Sequence, residues 1–230
     1  MKIVFIPCYS KADPIPSLKG VLKIMDNYRR IGIVTTTQHI NRLEEIMKFL
    51  KENGMDPIFC GRILGCNVEN LIKKSKNVDS FLYIGSGKFH PLGLSIKTEK
   101  PVFFANPLSN SFGRISEGEK ERYLKRRKSS IAKSLTGKIF GIIVSTKSGQ
   151  FDINLALEIK KKLEERGKKA FIFSGDEITP DKLLGFNVDA WINTACPRLV
   201  DDYFDKPVIN PDEVSILLNL FDVEDRDILQ

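Results

Sequence analysis

No apolar run in this chain approaches the roughly 18 residues that a bilayer-spanning helix needs, which argues against a membrane protein. The opening MKIVFIPCYSKADP offers one basic residue, Lys2, ahead of an apolar run of only four, Ile3 to Ile6. That is too short for a secretory signal and reads better as a first strand, Lys2–Pro7, so a cytoplasmic protein is expected. Cysteine is sparse: Cys8, Cys60, Cys66 and Cys196, with no pair at C-x-x-C spacing. Zinc-ribbon and thioredoxin-type sites are therefore disfavoured. In a reducing compartment disulfides are too, which leaves metal ligation, catalysis or plain burial. The two histidines, His39 and His90, lie too far apart in sequence to read as a metal-ligand pair. A serine-hydrolase elbow, G-x-S-x-G, is absent, and so is the phosphate loop G-x-x-x-x-G-K-S/T.

What is present is ordinary in bulk. The 230 residues, 42% hydrophobic and 28% charged, suffice for one large or two small domains with a real core. The formal charge is +7, from 36 basic and 29 acidic residues, and much of the excess sits in GEKERYLKRRKSSIAKSLTGK. Such a run reads either as a basic face for RNA or an RNA-bound partner, or as a solvated helix. No aromatic stacking pattern or nucleic-acid module accompanies it, so the helix is preferred and direct nucleic-acid binding is not expected.

One architecture occurs twice. GIVTTTQ from Gly32 resembles GIIVSTK from Gly141, and each precedes a helical stretch, INRLEEIMKFLKENG and INLALEIKKKLEERG, closed by Gly54 and Gly167. A short strand follows, PIFC or AFIF. NVDSFLYIG then matches NVDAWINTA, with Asn77 and Asn187 110 residues apart, and KPVFFANP matches KPVINP. Strands alternating with helices imply parallel sheets with right-handed crossovers. The expected fold is therefore α/β: two tandem, similar three-layer α/β/α units with parallel sheets. The first unit spans residues 1–113 and adds the strand Lys2–Pro7 and a helix near Ser17–Tyr28. A basic connecting helix spans 114–136, centred on Glu117–Leu135, and the second unit spans 137–230.

In open parallel sheets, ligands bind beyond the carboxyl ends of the strands. Cys196, in WINTACPRLVD, lies just past such an end. Cys66, in GRILGCN, lies in the loop after PIFC, and Cys8 follows KIVFIP. Facing units would let several thiols converge in a shared cleft. The repeat partner of Cys196 is Ser86, so the cysteine is not a copied core residue. Burial is the plain alternative for each thiol and the preferred one for Cys8 and Cys60, the latter ending its strand and pointing toward the core. Pro197 restricts Cys196 to extended backbone. The Arg198 guanidinium suits a two-pronged grip on a carboxylate, that of a cofactor or of Asp201, or else solvates a surface. His90 is either a hydrogen-bonding group at a cleft or a packed turn residue before Pro91.

Taken together and in order, GRILGCN with Cys66, YIGSGKFHPLG with Gly85, Gly87, Phe89 and His90, NPLSNSF, and ACPR around Cys196 resemble the family that makes the first intermediate of diphthamide. The resemblance spans nearly the whole chain. It implies three similar α/β units, each giving one cysteine to a 4Fe-4S cluster whose open iron binds S-adenosylmethionine. Reductive cleavage of that cofactor yields a 3-amino-3-carboxypropyl radical, and the group is attached to a histidine of translation elongation factor 2. On this pattern Cys66 is the second ligand and Cys196 the third. Gly85, Gly87, His90 and Arg198 fall to the cofactor, the glycines by letting backbone approach its carboxylate. The family's first unit, with its cysteine, precedes the matching region and has no counterpart here. The remaining ligand is then Cys8, Cys60, a thiol of another chain, or none. Cys8 is the better placed of the two cysteines, and a homo-oligomer or a complex with a full-length member is the route to a donated thiol. The alternative to a synthase or synthase subunit is a non-catalytic paralogue or accessory subunit that binds the full-length synthase or elongation factor 2. A blander reading is a small-molecule binding module.

Overall fold

The structure is a computed structural model, and it describes all residues except 1–3, 5, 64–67, 69–70, 73–74, 76 and 229–230, with no side chains described from 224 on. The chain divides into two compact units, Met1–Glu121 and Arg122–Gln230. The boundary falls inside the helix Glu117–Leu135.

The first unit is built on five strands: β1 (Arg30–Thr35), β2 (Asp56–Arg62), β3 (Ser80–Ile84), β4 (Val102–Asn106) and β5 (Ser111–Arg114). Their order is β2-β1-β3-β4-β5, parallel except for β5, which runs antiparallel to β4. Beyond its first residue β1 is wholly buried, as is all of β3, which is why both read as unbroken apolar runs rather than alternating ones. Helices Ile15–Leu22 and Leu43–Glu52 cover one sheet face through Leu18, Val21, Ile46 and Leu50. The other face packs Cys60, Leu71, Phe81, Tyr83, Leu94 and Phe104.

The second unit repeats the plan with β6 (Ile139–Ser145), β7 (Lys169–Gly175), β8 (Ala190–Asn193) and β9 (Val208–Ile209), all parallel in the order β7-β6-β8-β9. Helices Ile153–Glu164 and Pro211–Ile228 supply Ala156, Ile159, Leu163, Val214 and Leu217 to one face. Trp191, Val188, Val200 and Phe173 fill the other. The expected α/β class with parallel sheets is what the chain adopts.

The repeat extends to side-chain devices. Gly32 lies opposite Phe81, and Gly141 lies opposite Trp191. A Cβ at Gly32 would sit 2.9 Å from both the Phe81 ring and Cys60 Sγ, and one at Gly141 would strike the Trp191 ring. Asp79 accepts the N–H groups of Arg29 and Arg30 at the start of β1, and Asp189 accepts those of Lys138 and Ile139 at the start of β6. The helices before β2 and β7 run out at Gly54 and Gly167, with φ of +78° and +68°.

Three expectations change. The described residues of Lys2–Pro7 form no strand, and Val4 and Ile6 are 80% and 78% exposed. Where it is described, at Val4, Ile6 and Pro7, the segment pairs with no strand, and strand character is realised only by pairing; Lys2, Ile3 and Phe5 lie outside the described residues. The helix near Ser17–Tyr28 starts and stops early, at Ile15–Leu22: Pro14 sits at its head, and beyond Leu22 the chain closes tight turns instead. Strand β5 was not anticipated. It is folded back by a hairpin in which Asn106 Oδ1 accepts the Leu108 N–H and Asn110 takes φ +53°.

Candidate functional site

The carboxyl end of β8 is locked before the chain leaves the sheet. Thr194 donates both its N–H and its hydroxyl to the Ile143 carbonyl of β6, at 2.9 and 2.7 Å. Two residues on, Cys196 lies in extended backbone (φ −67°, ψ 121°), and Pro197 opens the 3-10 turn Pro197–Asp201. Its thiol is free and half-buried. The turn is held by a buried polar chain. Asn193 Nδ2 donates to the Cys196 carbonyl and to Asn210 Oδ1, both at 2.9 Å, while its Oδ1 accepts the Ala195 N–H. Asn210 donates its Nδ2 to the Pro197 carbonyl and its N–H to Glu213. Glu213 is gripped on both oxygens by Arg127, which is 5% exposed and also donates to the Val208 carbonyl. One residue earlier, Arg126 takes Asp201 at the far end of the turn. The basic helix thus spends two of its arginines on the segment that follows Cys196. Arg198 is exposed, and its suggested partner Asp201 is engaged by Arg126 instead.

The first unit repeats the device at β3. Tyr83, the repeat partner of Asn193, donates its hydroxyl to the carbonyl of Ser86, the repeat partner of Cys196, at 3.2 Å. The same oxygen lies 3.3 Å from Nδ1 of half-buried His90, in the first turn of the helix Phe89–Lys97. Burial pushes the Tyr83 phenol up to about 12. A side chain at Gly85 would press on that phenol, 2.5 Å from its oxygen, whereas Gly87 (φ +71°) has nothing within 4 Å. Gly85 therefore makes room for Tyr83, and of these two glycines it is Gly87 that offers open backbone. Beside it, Lys88 pairs with Glu119 at 2.8 Å; that bond, with the N–H of Ser116, brings the Glu119 carboxyl down to about 2.

The remaining thiols differ in kind. Cys60 is 3% exposed on a bulge of β2, its Sγ bonds the Ile58 carbonyl at 3.4 Å, and burial pushes its pKa up, as expected of a core residue. Cys8 is exposed on an irregular segment rather than at a strand's end. Cys66 lies outside the described residues. Among the described residues, no group of three His, Cys, Asp or Glu side chains is gathered for a metal, and no helix is long and apolar enough to cross a membrane. Cys196 itself fits thiolate ligation: a free thiol on a braced turn at a sheet's carboxyl edge.

Residues 1–228 match the family model of diphthamide synthesis proteins. The chain belongs to this family. It is 36% identical over 230 residues to the 2-(3-amino-3-carboxypropyl)histidine synthase of Pyrococcus horikoshii, covering 94% of this chain and 66% of that protein. The same-named protein of Methanocaldococcus jannaschii is 35% identical, covering 95% and 62%. The chain thus spans just under two thirds of the length of these relatives. Among solved structures, Dph2 from Pyrococcus horikoshii superposes with a TM-score of 0.80 at 35% identity, over 92% of this chain and 64% of that one. A second structure of that protein, with a 4Fe-4S cluster, gives 0.79.

The sequence did not single out Thr194, Asn193, Asn210, Glu213 or Arg127. The repeat carried a signal for some of them, since Asn210 precedes Pro211 as Asn106 precedes Pro107, and Asn193 occupies the place of Tyr83.

Proposed function

We propose that this chain takes part in 2-(3-amino-3-carboxypropyl)histidine synthesis, the transfer of the 3-amino-3-carboxypropyl group of S-adenosylmethionine to a histidine of elongation factor 2. The observation that carries this reading is the free, half-buried Cys196 thiol on its braced turn, in a chain 35% identical to a protein solved with a 4Fe-4S cluster. Cys66 and Cys196 would be two ligands of such a cluster, which supplies the electron for reductive cleavage of the cofactor. The Arg198 guanidinium, exposed and not committed to Asp201, is assigned to the cofactor carboxylate. His90, tethered by Tyr83, and the open backbone at Gly87 are assigned to the same cofactor, with Gly85 as the residue that admits the Tyr83 phenol.

The third ligand separates two readings. Cys60 is disfavoured by its burial, which leaves Cys8 or a thiol from outside these 230 residues, such as one from another chain. The family pattern, which assigns this thiol to a unit outside the matching region, favours the second reading, an accessory subunit that works with a full-length family member; Cys8 itself is exposed on an irregular segment. A yeast relative, 32% identical over 180 residues, is itself named as subunit 1 of the synthase. The test is anaerobic purification with iron and sulfide counted per chain, alone and with a full-length relative. If the chain is self-sufficient, close to four irons bind the isolated protein, and Cys8→Ser loses them as completely as Cys66→Ser or Cys196→Ser. If the ligand is donated, iron appears only in the complex and Cys8→Ser changes little. Absence of iron from both preparations, with elongation factor 2 still bound, overturns the cluster reading in favour of a non-catalytic paralogue.

A further inference from the structure

We infer that Asn193 and Asn210 are positioning residues for the Cys196 thiol, anchored by the Arg127–Glu213 ion pair. This rests on the reading of Cys196 as a metal ligand. Asn193 is wholly buried and Asn210 is 9% exposed. A buried amide is costly unless its donors and acceptor are met, and Asn193 meets both kinds: two bonds from Nδ2 and one to Oδ1. Those bonds tie the Ala195 N–H and the Cys196 carbonyl, on either side of the Cys196 Cα, to the end of β8. Asn210 then ties the Pro197 carbonyl to the start of the last helix. The cysteine's backbone is thereby held from both sides, and none of these bonds uses the sulfur.

The anchor lies at the far end. Arg127 reaches Glu213 through Nε at 2.8 Å and through its second nitrogen, a fork that a lysine cannot reproduce. Glu213 passes the constraint on by accepting the Asn210 N–H at 2.7 Å. The first unit gives an independent indication that the arrangement serves the turn. There Tyr83 performs the same bond to the residue three positions on, with different chemistry and with serine at the cysteine's place. The shared element is the tether, and the second unit adds the ionic anchor. Groups beyond the ligands of a metal site typically change metal affinity by roughly 10- to 100-fold when removed.

The experiment compares the parent chain with Asn193→Asp, which keeps the acceptor for Ala195 but loses both donated bonds, and with Asn210→Ala. In the iron-free chain, amide exchange is followed over residues 194–201, and alkylation of Cys196 by iodoacetamide is timed by mass spectrometry. In the reconstituted protein, alone or with a full-length relative, iron loss to a chelator is timed and the EPR spectrum of the reduced cluster recorded. The expected result is about tenfold faster exchange confined to that segment, an altered alkylation rate, iron release faster by roughly 10-fold or more, and a shifted spectrum. Unchanged local exchange, or faster exchange with iron release and spectrum like the parent's, overturns the inference. If Asn193→Asp fails to fold, Asn210→Ala carries the comparison. A parent without iron in either preparation defeats the cluster reading alone; exchange and alkylation then decide the positioning role, and an unchanged alkylation rate overturns it.

Discussion

At the scale of single residues, the two halves are alike where a glycine faces an aromatic ring. Gly32 admits Phe81 and Gly141 admits Trp191, each pair in register on adjacent strands. Trp191 is 2% exposed and packs edge-on against Phe173, with ring centroids 5.0 Å apart, so it has nowhere to retreat. Gly141→Ala is therefore expected to destabilise the second unit by about 1–3 kcal/mol through overpacking, despite the better intrinsic preferences of alanine. Denaturant unfolding followed by Trp191 fluorescence would measure it. A stability equal to the parent's would mean that the ring yields more readily than its packing implies.

At the scale of elements, the helix Glu117–Leu135 is the clearest case of a segment whose charge misleads. Its start is a capping box: Ser116 Oγ accepts the Glu119 N–H, and Glu119 returns the bond to the Ser116 N–H. Many of its basic residues are solvated, but Arg127 is buried against Glu213, and the pair's side chains are only 7% and 13% exposed. Removing one member strands the other, so Arg127→Met is expected to cost about 3–5 kcal/mol. Arg126 makes its bond to Asp201 from a position nearly half exposed, and Arg126→Ala should cost no more than about 1 kcal/mol. Equal losses in the two variants, by chemical denaturation, would contradict this division.

At the scale of the whole molecule, both units begin their central strand with the same aspartate clasp. The N–H of Arg30, aided by that of Arg29, holds Asp79 below the ordinary carboxylate range. The N–H groups of Lys138 and Ile139 do the same for Asp189. A carboxyl whose folded pKa is lowered contributes stability that is present above its unfolded value of about 3.9 and is lost as pH falls through the folded one. Asp79→Asn combined with Asp189→Asn is thus expected to lower the unfolding midpoint at pH 7. It should also shrink the further loss seen between pH 5 and pH 2. A full acid loss in the double variant would place that sensitivity elsewhere.

The sequence by itself determined the class and the duplication. Apolar runs bounded by glycine and by amphipathic stretches force strands and helices to alternate, and alternation forces parallel sheets, whatever the neighbours are. It also placed Cys196 past a strand's carboxyl end, because the apolar run Ala190-Trp191-Ile192 stops one residue before β8 does. At Lys2–Pro7 an apolar run was not enough for the described residues Val4, Ile6 and Pro7, which pair with no strand, and strand character is realised only by pairing. It could not see β5, whose four residues owe their strand to a turn made by Asn106 and Asn110. The brace on Cys196 was decided only by tertiary structure. Arg127, Asn193, Asn210 and Glu213 come from three separate stretches of chain, and an amide or guanidinium reads as surface chemistry until folding buries it beside its partner.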